Sequence, residues 1–116
     1  MVVLKNKSID EPLYEALKKL QEIVVAHDGI YLKLELDYKY HHLQSEVSTN
    51  EFLCYSHEGE NAELIGYIGI LAFGDTAEIS GMVHPEHRKR GVFTELFNHV
   101  KTEILSRNFK KILLLS

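Results

Sequence analysis

The sequence predicts a mixed α/β fold in which a mostly antiparallel sheet is flanked by helices, and three patterns point to it. Between Phe52 and Val83, three apolar runs are separated by short glycine-bearing turns, as in an antiparallel meander. Two stretches, one before this meander and one after it, repeat apolar residues at helical spacing. A final apolar run, Lys111-Ile112-Leu113-Leu114-Leu115, completes a strand–helix–strand unit with a parallel return. At 116 residues the chain is the size of one domain, residues 1–116.

Taken in order, Val2-Val3-Leu4 reads as a short opening strand. Pro12 stands where a first helical turn tolerates it, behind Asp10 as the capping residue. Leu13, Ala16, Leu17, Leu20, Ile23 and Val24 then recur on one helical face, and Gly29 supplies a stop. From Ile30 to Tyr40 the pattern changes: Ile30, Leu32, Leu34, Leu36, Tyr38 and Tyr40 alternate with Tyr31, Lys33, Glu35, Asp37 and Lys39. That period of two reads as a strand. Phe52 to Ser56 and Leu64 to Phe73 are the next strands, around a turn at Gly59-Glu60-Asn61. Gly74-Asp75-Thr76 turns the chain into a third strand, Ala77 to Val83, which Pro85 ends. A helix from about Gly91 places Val92, Phe93, Leu96, Phe97, Val100 and Ile104 on one face, and Lys111 to Leu115 reads as a buried strand.

Composition excludes several classes. An apolar fraction of 45% supplies enough core to offset ordering entropy, so disorder is not expected. A net charge of -4 argues against general nucleic-acid binding, which needs a broad basic face. The single cysteine, Cys54, has no internal disulfide partner and suits a reducing cytoplasm. Its neighbours Phe52, Leu53 and Tyr55 favour a buried structural thiol over a nucleophile. The longest apolar stretch, Leu64 to Phe73, falls short of the ~18–20 residues of a membrane span. The opening Met1-Val2-Val3-Leu4-Lys5 is too short and too soon charged for a secretory signal. A cytoplasmic location without a membrane partner is expected. Seven histidines, including His41-His42, His84 and His87, fall at no spacing diagnostic of zinc, so no metal site is expected.

The chemistry concentrates in Met82-Val83-His84-Pro85-Glu86-His87-Arg88-Lys89-Arg90-Gly91-Val92-Phe93-Thr94. Here a strand delivers the chain to a short loop that opens a helix. A helix N-terminus presents unpaired N–H groups and the positive end of its dipole, which together attract anions. Gly91 permits close backbone approach, Arg88, Lys89 and Arg90 add positive charge, and Thr94 offers a hydroxyl in the first turn. The glycine spacing is neither that of a P-loop nor that of a dinucleotide fingerprint. On the residues alone, an anion site and an ordinary solvated basic loop both remain open.

This stretch closely resembles the coenzyme-A-binding motif of GNAT acetyltransferases, [Q/R]-x-x-G-x-[G/A] after a strand ending in V-x-P. Val83-His84-Pro85 supplies the V-x-P, Arg88 fills the first place and Gly91 the fourth, while Phe93 stands where Gly or Ala is usual. The resemblance covers Phe52 to Ser116; the first fifty residues match loosely.

The resemblance implies a GNAT-like fold, with acetyl-CoA as cosubstrate and direct acetyl transfer to a small-molecule or peptide amine. Met82, Val83, Arg88, Lys89, Arg90, Gly91, Val92, Phe93 and Thr94 would bind the coenzyme, whose pantetheine arm would enter between the strand ending at Val83 and its parallel neighbour. Glu78 is the candidate base, its register one residue short of the family pattern, a difference that a β-bulge would absorb. The family fold continues for a helix and two strands past this last strand, often with a tyrosine that protonates the departing thiolate. This chain therefore reads as truncated after the fifth strand. Tyr14, Tyr31, Tyr38, Tyr40, Tyr55 and Tyr67 all precede the motif, so none maps onto that acid. Either a longer enzyme or a partner chain, in a homodimer, is expected to cover the apolar last strand. The alternative function is a catalytically silent acetyl-CoA-binding or regulatory module.

Overall fold

The structure, a computed structural model, describes residues 1–42 and 48–115. Its sheet has five strands in chain order: β1 (Val2–Asn6), β2 (Glu51–Tyr55), β3 (Leu64–Phe73), β4 (Thr76–Val83) and β5 (Lys111–Leu115). The first four pair antiparallel, and β5 returns parallel to β4. Among the described residues three α-helices complete the fold: α1 (Glu11–Asp28), α2 (Leu36–His42) and α3 (Val92–Ser106), the last crossing from β4 to β5.

Local chemistry accounts for the helix ends. Asp10 caps α1, its Oδ1 accepting from the Leu13 N–H at 3.0 Å, and Gly29 ends it in the left-handed region at φ 69°. The apolar stripe of α1 buries Leu13, Leu17, Leu20 and Val24 against Leu53, Leu64, Tyr67 and Met82. On the opposite face, Val92, Leu96, Val100 and Ile104 of α3 pack on Phe52, Cys54, Ile65, Ile68, Ile70, Ala77 and Ile79. The close seat of α3 depends on Gly66, where a Cβ would lie 2.6 Å from Val92 Cγ1.

Two expectations are corrected. Ile30 to Tyr40 is not a strand: residues 31–35 carry no regular structure, and α2 begins at Leu36. The alternation holds from Tyr31 to Leu36, where Leu32, Leu34 and Leu36 are buried while Tyr31 and Lys33 are exposed, but not beyond, since Ile30 and Tyr38 are exposed and Lys39 is buried. A ladder also needs a partner edge, however, and this segment lies against α1 instead, where Gln21 Nε2 donates to the Leu32 carbonyl at 3.3 Å. Glu35, left-handed at φ 58°, then breaks the extended run before the helix. The second correction concerns β5. Lys111 to Leu115 is a strand but not a buried one: Ile112 and Leu114 are 45% and 67% exposed. Both pair with α3-side core residues of β4, Ala77 and Ile79, yet they lie at the margin of the cover that α3 provides.

Candidate functional site

The turn between β4 and α3 is built from tightly bent backbone. Beyond Val83, the His84 N–H donates to the Ile65 carbonyl at 2.8 Å. Pro85–His87 then forms a 3-10 turn, capped by His84 Nδ1, which accepts from the Glu86 N–H at 3.0 Å. His84, although in a loop, is buried rather than exposed to water. Lys89 and Gly91 both adopt left-handed φ, 64° and 79°. Gly91 is the N-cap of α3 and no side chain caps the helix, whose first backbone bond runs from the Glu95 N–H to the Gly91 carbonyl. The amides of Val92, Phe93 and Thr94 thus have no intrahelical acceptor. A cavity of about 210 Å³ opens at this end, lined by Val83, His87, Arg88, Lys89, Gly91, Val92, Phe93 and Thr94.

The structure therefore brings together seven of the nine residues singled out for coenzyme binding, and adds His87. Arg90 is exposed without lining the cavity, and the Met82 side chain is buried in the core against α1. Arg88 differs from a free phosphate ligand. Its Nη1 and Nη2 donate to the two carboxylate oxygens of Asp28 at 2.9 and 2.8 Å, and its Nε donates to the Val83 carbonyl at 3.2 Å. The guanidinium is a strut joining the end of α1 to the end of β4. Arg88, with help from His27, holds the Asp28 carboxyl well below the usual carboxylate range. Asp28 carries no sequence signal, because its partner lies sixty positions away.

A second cavity, of about 490 Å³, lies between β4, β5 and α3. Its walls are Ile79, Ser80, Gly81, Phe93, Phe97, Leu114 and Leu115. Pairing of β4 with β5 reaches Ser80↔Leu115, while β4 runs on to Val83, so the backbone of Gly81 to Val83 has no ladder partner on that side among the described residues. Phe93 borders both cavities. Glu78 is half-buried, paired with Leu71 on β3 and Leu113 on β5. Strand alternation puts it on the face of Met82 and α1, opposite the α3 core. The register of β4 against β3 is continuous from Thr76 to Val83, so the bulge expected there is absent; the shift in this sheet falls at Cys54/Tyr55 instead.

On the α1 face, Lys39 Nζ donates to both oxygens of Glu51 at 3.0 and 3.1 Å and to Tyr67 Oη at 3.3 Å; the Tyr67 hydroxyl donates to Glu51 Oε1 at 2.6 Å. All three side chains are buried. Burial pushes the Lys39 ammonium down and the Tyr67 phenol up, and Glu51 reinforces the second shift. A cavity of about 570 Å³ opens between α1 and residues 31–38, with Glu22, Glu35 and Asp37 against one cation, Lys18. Cys54 is fully buried, and burial pushes its thiol up, as befits a structural residue. Among the described residues no group of three or more His, Cys, Asp or Glu is placed to hold a metal, and no helix is long and apolar enough to cross a membrane.

Comparison with solved structures shows the same fold elsewhere. The ribosomal-protein-S18-alanine N-acetyltransferase of Escherichia coli superposes with a TM-score of 0.67 at 15% identity, covering 97% of this chain and 66% of that one. An aminoglycoside 6'-N-acetyltransferase complexed with coenzyme A gives a TM-score of 0.62 at 18% identity, covering 98% and 61%. A GNAT-family acetyltransferase of Staphylococcus aureus Mu50 gives 0.73 at 13% identity, covering 99% and 73%. The chain thus spans slightly less than two thirds of the length of the first two. Among curated protein sequences, none matches it. The family model for the acetyltransferase (GNAT) family matches residues 13–116, and the chain belongs to that family.

Proposed function

We propose that residues 1–116 form a single acetyl-CoA-binding domain that transfers the acetyl group to an amine acceptor. The observation that carries this reading is the uncapped start of α3, opening on a basic cavity that shares Phe93 with an apolar slot beside the unpaired end of β4. That donor set fits an extended thioester bearing a diphosphate: helix-end amides and Lys89 for the anion, and for the amide-rich arm the strand backbone beyond the β5 pairing, apart from the Val83 carbonyl that Arg88 occupies. The coenzyme, when bound, supplies an activated acetyl group. The chain's own residues do the rest. The amides of Val92, Phe93 and Thr94 hold the diphosphate, and the Gly81–Val83 edge orients the arm. The N–H of Val83 polarises the carbonyl oxygen, since that of Met82 points toward β3 with the His84 N–H. Glu78, on the face toward α1, takes the amine proton directly or through one water. The acceptor is a small molecule or a peptide amine, and the carboxylate-rich cavity between α1 and residues 31–38 suits such a cation.

Titration calorimetry with coenzyme A and acetyl-CoA tests the reading; a folded sample that binds neither refutes it. The commitment of Arg88 to Asp28 and the presence of Phe93 at a Gly/Ala place favour one alternative, a silent coenzyme-binding module or the coenzyme half of a longer enzyme. Thiol release with a panel of amines separates the two. Two further parts of the proposal are a cytoplasmic protein without nucleic-acid or membrane partners, and self-association through exposed Ile112 and Leu114. A strictly monomeric species in sedimentation would remove the self-association.

A further inference from the structure

Phe93 stands where the family motif has a small residue, and folding does not explain it. The buried stripe of α3 passes through Val92 and Leu96 on either side of it, while Phe93 itself is 49% exposed. Its ring stacks on that of Phe97, centroids 6.0 Å apart and planes 12° from parallel. The pair forms a continuous aromatic surface running from the phosphate-sized cavity into the slot, where Leu114, 67% exposed, faces it across the opening. A contiguous apolar patch beside a cation-lined cavity is the mark of a ligand with an anionic end and an apolar neighbour.

We infer that Phe93 and Phe97 form a platform for the pantoate portion of the coenzyme arm, so that Phe93 determines how binding is divided between arm and nucleotide. This rests on the coenzyme reading above. In coenzyme A one methylene links the diphosphate to a carbon bearing two methyls, and a hydroxyl-bearing carbon then leads into the amide chain. Held at the start of α3, the diphosphate places those methyls one step along the helix, at Phe93, and the chain leads on past Phe97. A glycine or alanine at this place would leave the methyls against water. The aromatic faces remove apolar area from solvent on both partners.

The test is calorimetry on the whole chain with three probes: coenzyme A, 4'-phosphopantetheine, and adenosine 3',5'-bisphosphate, which lacks the arm. Phe93→Ala is expected to weaken coenzyme A and phosphopantetheine by the same factor, roughly tenfold, and to leave the bisphosphate unchanged. Phe93→Leu should recover most of the loss. Because Phe93 is half-exposed, neither variant is expected to unfold, and circular dichroism checks this. Unchanged coenzyme affinity in Phe93→Ala overturns the inference. So does an equal loss for the bisphosphate, which would place the ring against the nucleotide. A change confined to sedimentation overturns it too, in favour of a second copy of the chain as occupant. Failure of the parent protein to bind any of the three probes is a different result: it removes the coenzyme reading itself.

Discussion

The two faces of the sheet hold α1 and α3 by different means. Toward α3 the interior is apolar throughout, from Phe52 and Ile68 to Leu96 and Val100. Toward α1 and α2 a similar set of leucines surrounds a desolvated ion pair, Lys39 with Glu51, and the hydroxyl of Tyr67. An apolar interior asks only for volume and shape, and it tolerates swaps that keep both. A buried charge asks for its partner, because a lone ammonium or carboxylate away from water costs several kcal/mol. The α1 face is also the one bearing Glu78 and the carboxylate-rich cavity, so the unforgiving side of the molecule is the side assigned to the acceptor. Between the faces, Arg88 ties the end of α1 to the end of β4.

This contrast breaks or sharpens under substitution. The largest effect is expected from Glu51→Leu, which strands the Lys39 ammonium in the interior and should cost about 3–5 kcal/mol in urea denaturation. Replacing all three polar members together, Lys39→Met with Glu51→Leu and Tyr67→Phe, should recover much of that loss. A single substitution costing under about 1 kcal/mol would show that the two faces do not differ in this way. Next comes Gly91→Asp, which forces a left-handed side chain at φ 79° and sets a carboxylate beside the proposed diphosphate. Coenzyme affinity should fall by at least roughly tenfold, and unchanged affinity would move the phosphate site elsewhere.

On the tolerant face, Leu96→Met keeps volume and should cost less than about 1.5 kcal/mol by the same denaturation measurement. A loss as large as that of Glu51→Leu would erase the contrast. The smallest effect concerns the strut. Because Arg88 depresses the folded pKa of Asp28, the unfolded chain, near the ordinary 3.8, binds the proton first as pH falls. The contribution of Asp28 is therefore complete above that value and is lost as pH drops through the lower folded one. Asp28→Asn should flatten the acid limb of the stability curve; an identical limb would show that the exposed pair contributes nothing measurable.

What could be read in the sequence follows from how local each signal is. The cap at Asp10, the stop at Gly29 and the strand Leu64–Phe73 rest on neighbours within a few positions, and each is found where the sequence puts it; the α3 stripe is found too, but Phe93, read as part of it, stands outside. The segment after Gly29 misleads for a physical reason. Leu32 and Leu34 do alternate in burial, but alternation states which side chains are inside, not whether a partner strand exists. Lys39 was legible only as one of the polar positions in that alternation. Its burial depends on Glu51 and Tyr67, twelve and twenty-eight residues away. Likewise the loop from Val83 to Thr94 shows its glycine and its basic residues in the sequence, but which of them face a common cavity depends on the left-handed turns at Lys89 and Gly91.

By itself, the sequence determined the fold class, the strand meander, and the strand–loop–helix turn into α3, because periodicity, capping and glycine placement act over single turns of chain. The tertiary structure alone decided that Arg88 is held by Asp28, that Lys39 is buried, and that Phe93 stands open between two cavities. Each of these depends on which distant groups share a small volume, and a linear pattern carries no term for that.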